Sequence, residues 1–226
     1  MRTISTTRDG ARIYSRCLLA CYDFLIYRVL SPYVWRCDPR HFLELYQRNM
    51  SGNHADVGVG TGYFLNQCSY KPGAVRIGLF DLQPNCLRYT AARLARFQPE
   101  TFECDALEPI PFTGKRFSSI GLGGILHCIP GDLTEKGIVF DAITSLMEPT
   151  SRVFGYTILN QGVRKTLFSR IVFFLLHRMK VINGASDSAA QLHVELNKRF
   201  KSVDVRVVGC IALFNAGDSL LSHGAI

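Results

Sequence analysis

The chain has 226 residues, of which 47% are hydrophobic and 19% are charged, a composition typical of a globular protein and not of a disordered one. This length suits one α/β domain and is short for two, and no window holds the roughly 18 consecutive apolar residues that a membrane span needs. The formal net charge of +8 comes from scattered basic residues without a dense Lys/Arg stripe, so we expect no nucleic-acid partner.

The first part of the chain predicts helices. Tyr14, Leu18 and Tyr22 recur at the i, i+4, i+8 spacing of a helix face, and Pro32 is expected to end that helix. A second helix is predicted over residues 39–49. We therefore expect a single domain, 1–226, with a helical lid over 1–38 and a core over 39–226.

From residue 55 onward, strand and helix patterns alternate. Strands are predicted over 55–59, 75–80, 101–104, 117–122 and 152–156, and helices over 63–67, 84–96, 134–147 and 164–179. Two apolar runs, 203–208 and 210–214, are separated only by Gly209 and indicate an antiparallel pair at the sheet edge. The pattern predicts a doubly wound, mostly parallel seven-stranded sheet with an antiparallel C-terminal strand and helices on both faces.

The eight cysteines contain no Cys-x-x-Cys pair. We therefore expect no metal site, and free thiols that are mostly buried. The N-terminus is basic and polar and lacks the ordered regions of a secretory signal, so we expect a cytoplasmic protein.

Residues 56–62 read Asp-Val-Gly-Val-Gly-Thr-Gly at the junction of the first predicted strand and the following helix. Glycine accepts positive φ and lets a ligand approach main-chain atoms closely. In a turn between strand and helix, backbone N–H groups can face a polar ligand. The motif predicts a nucleotide-like cofactor, and the alternative is a tight turn without a ligand.

Asp81 and Asp105 stand at the ends of the second and third predicted strands. In doubly wound sheets, ligands bind beyond the carboxyl ends of the strands, where an acid can accept hydrogen bonds from ribose hydroxyls. Asp81 is placed for the ribose and Asp105 for an adenine amino group. Taken singly, each acid has a helix N-cap as its alternative role.

In this order, the segments resemble the motifs of class I S-adenosylmethionine-dependent methyltransferases, in particular small-molecule members of types 11 and 12. Residues 56–62 match acid-x-Gly-x-Gly-x-Gly, whereas the nicotinamide fingerprint Gly-x-Gly-x-x-Gly places its third glycine one position later. Phe80-Asp81-Leu82 and Cys104-Asp105-Ala106 resemble the second and third motifs. Residues 121–130, Gly-Leu-Gly-Gly-Ile-Leu-His-Cys-Ile-Pro, resemble the segment after the fourth strand. The chain departs from the family at 150–151, where Thr-Ser replaces Gly-Gly.

The resemblance implies a Rossmann-like fold and S-adenosylmethionine as cofactor. It places the methionine part over Gly58, Gly60 and Gly62, with Asp56 either orienting the turn or reaching the amino group through water. Asp81 would bind the ribose, Leu82 would pack on the adenine, and Asp105 would hold the adenine amine, with Ala106 beside it. Leu122 and Gly123 would lie beneath the sulfonium.

The activity implied is methyl transfer to a small, rather apolar metabolite such as a polyketide-like or other secondary-metabolite intermediate. Oxygen is the first expected acceptor, followed by carbon and sulfur. His127 is the candidate base, since a neutral imidazole can take a proton from a hydroxyl, and packing without proton chemistry is its alternative. Tyr22 is a second catalytic candidate. Tyr14, Tyr22, Trp35 and His127 are the residues expected to face the acceptor.

Other interpretations stay open. The fold could be reused for a cyclisation or pericyclic step with the cofactor as a fixed charge, or the chain could be a non-catalytic partner subunit. The apolar helix 167–179 follows the fifth predicted strand, where the family resembled usually carries substrate-side insertions, and an ordinary core-facing helix is its alternative. Alternatively, its basic residues, which are Arg164, Lys165, Arg170, Arg178 and Lys180, could rest it weakly on a membrane surface. A homodimer is also left open.

Overall fold

The computed structural model describes residues 21–70 and 75–221, so Tyr14 lies outside the described residues. The lid helix spans Phe24–Val34, is wound as a π-helix and follows helical residues 21–23. The prediction that Pro32 ends this helix is wrong, because Pro32 lies inside it. Proline removes one N–H donor, but the N–H of Trp35 still donates to the carbonyl of Leu30 at 2.9 Å and continues the winding.

Seven strands form one sheet in the order β3-β2-β1-β4-β5-β7-β6. Only β7 runs antiparallel to its neighbours, β5 and β6, and the other pairs are parallel. The predicted mostly parallel, seven-stranded sheet is confirmed. The strands are β1 (Asn53–Val57), β2 (Arg76–Asp81), β3 (Glu100–Glu103), β4 (Phe117–Gly123), β5 (Met147–Ile158), β6 (Phe200–Val208) and β7 (Ile211–Ser219).

Besides the lid helix, seven α-helices are found in the described part of the chain. They are α1 (Arg40–Asn49), α2 (Tyr63–Gln67), α3 (Pro84–Arg93), α4 (Leu133–Lys136), α5 (Ile138–Ala142), α6 (Leu167–Arg178) and α7 (Ala189–Asn197). Short 3₁₀ turns cover Ala95–Phe97 and Ile143–Leu146.

Two predictions about helices need correction. The single helix predicted over 134–147 is wrong: Gly137, a weak helix former, separates α4 from α5, and Met147 already begins β5. Helix α7 was not predicted. Its N-terminus carries a signal for it, since Ser188 and Gln191 form a reciprocal capping box.

The sheet is covered by hydrophobic packing on both faces. Successive strand residues point to opposite faces, so Val153 and Phe154 of β5 belong to different hydrophobic clusters. Val153 packs with Phe140 of α5, and Phe154 packs with Phe42 of α1 in the other cluster. With both faces buried, the carboxyl ends of the parallel strands are left as the place for a ligand.

Within the described residues, no helix has both the length and the apolar character to cross a bilayer. The same residues contain no His/Cys/Asp/Glu group that could hold a metal ion. Cys37, Cys68, Cys86 and Cys210 are buried free thiols as predicted, whereas Cys21 is exposed.

Candidate active site

A cavity of about 240 Å³ opens at the carboxyl ends of the parallel strands. The turns after β1, β2, β3 and β4 line one side of it. The lid helix, the end of β5 and the segment after α6 line the other. We call these two sides the cofactor half and the acceptor half.

The glycine turn forms the floor of the cofactor half. Gly58, Gly60 and Gly62 all have positive φ, at 75°, 51° and 62°. A Cβ on Gly58 would lie 2.8 Å from the side chain of Ile125, whereas one on Gly60 would meet no protein atom within 4 Å. Gly60 therefore faces the open cavity with bare backbone, which is the surface that a closely approaching ligand requires.

Asp81 ends β2 and reaches the glycine turn. Its Oδ2 accepts the N–H of Gly60 at 3.3 Å, and its Oδ1 accepts the N–H of Gln83 at 2.8 Å. Burial raises the pKa of Asp81 to about 6, although the backbone donors act in the opposite direction. A buried carboxylate at this position retains lone pairs for further donors, such as paired hydroxyls.

Asp105 and its neighbours form the next part of the cofactor half. Asp105 lines the cavity, and its Oδ1 accepts the N–H of Leu107 at 2.9 Å. The helix N-cap that was the alternative role of Asp105 is not found, because a turn and not a helix follows it, and the carboxylate stays at the cavity wall. Leu82 and Ala106 line the same wall with apolar surface. The arrangement suits a flat, polar-edged ring.

Asp56 lies deeper than the other two acids. It is buried within β1, and the hydroxyl of Tyr46 donates to its Oδ1 at 3.1 Å. Burial raises the pKa of Asp56 to about 8, against the effect of the Tyr46 hydrogen bond. Asp56 thus joins α1 to the first turn, and it also lines the cavity.

The two residues predicted beneath the sulfonium differ in position. Gly123 lines the cavity, and a Cβ there would collide with the hydroxyl of Tyr46. Leu122 is fully buried in the hydrophobic core and is not part of the cavity lining. Leu122 and Gly123 are consecutive residues of β4 and point to opposite faces of the sheet, so the two positions cannot both face the ligand.

His127 stands in the loop after β4, where the two halves meet. It is buried and lines the cavity, and its Nδ1 has no hydrogen-bond partner in the described part of the protein. Burial, helped by the charge of Lys136, lowers the pKa of His127 to about 3. The imidazole is therefore neutral at physiological pH, with a polar atom awaiting a partner.

Aromatic side chains form much of the acceptor half. Tyr22 and Trp35 line the cavity at the two ends of the lid region. Between them, the hydroxyl of Tyr27 lies 3.2 Å from that of Tyr156 at the end of β5, and its ring stacks on Tyr63 at 4.6 Å. Burial raises the pKa of Tyr22 well above the usual tyrosine value, so its hydroxyl stays protonated.

Asp23 fastens the lid helix to the glycine turn. Its Oδ1 accepts the hydroxyl of Thr61 at 2.5 Å, and its Oδ2 accepts the guanidinium of Arg93 at 2.7 Å. Arg93 also donates to the carbonyl of Thr61 at 2.8 Å. We call this set the Asp23 latch.

Two further contacts hold the acceptor half in place. The N–H of Cys210, in the turn between β6 and β7, donates to the carbonyl of Trp35 at 2.7 Å. On the other wall, the N–H of Asn183 donates to the carbonyl of His127 at 2.7 Å. A fully buried ion pair between Lys136 and Asp187, at 2.6 Å, anchors the same segment.

Several site residues were missed at the level of sequence. Tyr156 stands at the end of the fifth predicted strand, so the strand-end rule that selected Asp81 also applied to it. The Asp23 latch had no comparable signal, because Thr61 and Arg93 are distant from Asp23 in the chain. Tyr46 lies on α1, outside the motifs, although its partner Asp56 is only ten residues away.

No family model matches the chain. It is 31% identical over 208 residues to demethylluteothin O-methyltransferase of Streptomyces thioluteus, covering 92% of this chain and 90% of that protein. It is 30% identical over 218 residues to the physcion biosynthesis cluster O-methyltransferase of Aspergillus chevalieri, covering 96% and 98%. Among solved structures, the DhpI–SAH complex aligns with a TM-score of 0.65 at 16% identity, covering 94% of this chain and 97% of that one.

The residues fit S-adenosylmethionine on two observations. Gly60 presents open backbone to the cavity, and Asp81 offers a buried acceptor beside it. The relatives above are identical at 30% or more over nearly the whole chain, and the fold matches that of a complex with SAH. The chain is therefore an S-adenosylmethionine-dependent enzyme that methylates a small molecule, and it belongs to the class I methyltransferase family.

Proposed function

We propose that the enzyme methylates a hydroxyl oxygen on a small, flat, apolar metabolite of secondary metabolism. The observation that carries this proposal is His127, a neutral, buried imidazole with an unpartnered Nδ1 in the described structure, which lines the cavity between the cofactor half and an aromatic acceptor half. A hydroxyl acceptor has one proton to lose, and the imidazole of His127 is the group that can receive it.

The cofactor half holds S-adenosylmethionine, and we assign the individual contacts as follows. Asp81 accepts from the ribose hydroxyls, while Leu82, Asp105 and Ala106 receive the adenine. The backbone of the glycine turn approaches the methionine part, and Asp56 orients that turn through β1. When bound, the cofactor supplies an electrophilic methyl group on a positively charged sulfur.

His127 then acts on the acceptor. A hydroxyl that donates to the imidazole of His127 has an oxygen lone pair directed away from the ring. The oxygen becomes strongly acidic as it gains its new bond to carbon, so even an imidazole with a low pKa can take the proton at that stage. The protein contributes alignment and exclusion of water, which account for much of the rate in such a displacement.

Tyr22 is proposed as a positioning donor and not as a base. Its pKa is raised by burial, so its hydroxyl keeps its proton and can donate to an oxygen of the acceptor. Trp35, Tyr22 and the stacked pair of Tyr27 and Tyr63 supply aromatic surface for a flat acceptor.

Two relatives named as O-methyltransferases support oxygen as the acceptor atom. They also favour methyl transfer over a cyclisation that leaves the cofactor unchanged. The glycine turn and the strand-end acids argue against a non-catalytic subunit, because such a subunit would need no open backbone at Gly60.

The test is an assay of the purified enzyme with S-adenosylmethionine and a panel of phenolic and enolic polyketides, each paired with its O-methyl ether, its amine analogue and its thiol analogue. We expect a product heavier by one methylene unit for hydroxyl acceptors, with S-adenosylhomocysteine formed in equal amount. A product of unchanged mass would support the cyclisation alternative. Methylation confined to the amines or thiols would overturn the assignment of oxygen.

A further inference from the structure

Helix α6 is apolar on both of its sides, although one side faces solvent. Phe173 is buried against the core and Leu176 lines the cavity. On the opposite side, Leu167, Ile171 and Phe174 are 76%, 53% and 65% exposed. A helix that is apolar all round is normally buried on every side, so the outer side of α6 indicates a missing partner.

The outer face extends beyond these three residues. Phe168, Leu175 and Met179 are also exposed, at 59%, 49% and 63%. The lid helix is fastened to the start of α6 by the hydroxyl of Ser169, which donates to the carbonyl of Val34 at 2.8 Å. Next to that contact, Tyr33 is 69% exposed. We call this surface the α6 outer face. It consists of the exposed apolar residues Leu167, Phe168, Ile171, Phe174, Leu175 and Met179 and the exposed basic residues Arg164, Arg170, Arg178 and Lys180.

The charges around this face have one sign. Residues 161–186 contain no aspartate or glutamate. Arg164, Arg170, Arg178 and Lys180 are exposed, and none of them forms an ion pair within the described residues. At 100° per residue, Arg170 and Arg178 fall on the same side of the helix as Phe174. The partner must therefore accept apolar side chains and supply negative charge.

A second copy of this chain does not meet that requirement. A two-fold dimer through the α6 outer face would bring Arg170 and Arg178 of one copy against the same residues of the other. Repulsion between these like charges opposes the contact. An anionic lipid bilayer does meet the requirement, because its headgroups attract arginine and its acyl region accepts phenylalanine and leucine.

We infer that the α6 outer face docks the enzyme on the surface of an anionic lipid bilayer, with α6 lying in the plane of the interface. Phe168, Ile171 and Phe174 enter the acyl boundary while Arg170 and Arg178 contact phosphate groups. On its other side, α6 contributes Leu176 to the acceptor half of the cavity. A docked enzyme would thus receive an apolar acceptor from the bilayer, a consequence that rests on the proposed function, whereas docking itself does not.

The test is co-sedimentation of the full-length enzyme with vesicles, with no acceptor present. One set of vesicles is pure phosphatidylcholine, and the other contains about one third phosphatidylglycerol. We expect the enzyme to bind the anionic vesicles, and this binding should weaken with added salt. Binding to the neutral vesicles should be weaker by about tenfold or more.

Two variants and one control locate the surface. Phe174→Glu and Arg170→Glu should each weaken binding to anionic vesicles about tenfold or more. Val194→Glu is the matched control, because Val194 is 54% exposed on α7 and lies outside the face. Each variant is checked for folding by its affinity for S-adenosylhomocysteine, which a change on the outer side of α6 should leave intact.

Several results would overturn the inference. One is equal binding to the two kinds of vesicle. Another is wild-type binding by Phe174→Glu. Absence of vesicle binding would assign the face to another occupant, and size-exclusion chromatography over a range of concentrations would then show whether that occupant is a second copy. A methylation assay on detergent-dispersed acceptor reports separately on the proposed function, so failure of one claim does not obscure the other.

Discussion

The two halves of the cavity are built by different means. The cofactor half uses turns that follow β1, β2, β3 and β4, so its residues fall between Asp56 and His127 and reach the site by sheet geometry alone. The acceptor half draws on the lid helix, the end of β5 and the segment after α6, which are far apart in the chain. Fixed strand ends suit a ligand shared by a whole family. Separately attached helices suit the part of the site that must differ between acceptors.

The largest expected effect falls where the two halves meet. Replacing the imidazole by an amide in His127→Asn removes the proton acceptor, and we expect kcat to fall about 10²- to 10⁴-fold. Affinity for S-adenosylhomocysteine should stay within about twofold, since His127 touches the acceptor side of the transfer. Single-turnover assays and titration calorimetry measure the two quantities.

His193→Asn is the control for that variant, because His193 is exposed on α7. A His127→Asn enzyme that keeps wild-type kcat would show that His127 serves packing only. A parallel loss of cofactor affinity would show that the division of the cavity into halves is wrong.

The next effect isolates the cofactor half. Asp81→Asn keeps the shape of the side chain and removes its charge, so the acceptors for the ribose hydroxyls weaken. Hydrogen bonds to charged groups contribute about 1.5–3 kcal/mol, which corresponds to an affinity for S-adenosylhomocysteine about 10- to 100-fold lower. The KM for the acceptor should change little. Asp204→Asn, at an exposed position of β6, should leave both values unchanged.

The Asp81 carboxyl gives two pH dependences of opposite sign. As pH rises, the free energy of unfolding of the empty enzyme should fall, whereas the affinity for the cofactor should increase. The pKa of Asp81 is raised by burial to about 6, above its value in the unfolded chain. Ionisation therefore lowers the free energy of unfolding of the empty enzyme as pH rises through about 6. Cofactor binding needs the ionised form, so affinity should weaken about tenfold from about pH 7 to about pH 5.

Titration calorimetry and thermal unfolding across this range check both signs. His127, with a pKa near 3, stays neutral throughout and should contribute nothing. Asp81→Asn should flatten the affinity profile, whereas the stability profile keeps the contribution of Asp56, whose pKa is raised by burial to about 8. A pH dependence of cofactor affinity that persists in this variant would trace that effect to another group.

The smallest effect tests how the halves are joined. In Asp23→Asn, the ion pair with Arg93 is lost while the contact with Thr61 can remain. The two side chains are 12% and 21% exposed, so we expect a loss near 1 kcal/mol, seen as about fivefold weaker binding of S-adenosylhomocysteine. Hydrogen exchange of residues 24–34 should speed up.

Asp38→Asn is the matched control for the latch. Asp38 pairs with Arg40 at the same 2.7 Å, but these side chains are 42% and 82% exposed. Screening by water makes that pair weak, so its loss should change neither cofactor affinity nor exchange in the lid helix. Equal effects from the two variants would mean that the Asp23 latch does not couple the lid to the glycine turn.

Sequence patterns reached the cofactor half because local rules govern it. The glycine spacing and the acids at strand ends place Asp81, Leu82 and Asp105 at the cavity before any coordinates are considered. Leu122 shows the limit of this approach, since adjacent residues of a strand share a motif but not a face. The contributions of these residues to cofactor binding remain predictions.

The acceptor half was less accessible to the sequence because its contacts are non-local. Tyr27 meets Tyr156, and Asp23 meets Arg93, across long stretches of chain that carry no shared motif. For α6, the sequence left open whether the apolar helix packs on the protein or rests on a membrane surface. An apolar repeat shows that a helix has partners, but it does not say which side they lie on.

The hydrogen bond from Cys210 to the carbonyl of Trp35 also orders events during synthesis on the ribosome. The residues of the cofactor half, ending at His127, emerge from the ribosome well before β7 does. Trp35, although translated early, gains this hydrogen bond only when the turn before β7 arrives. The acceptor half of the cavity is therefore completed last, after all the residues of the cofactor half are available.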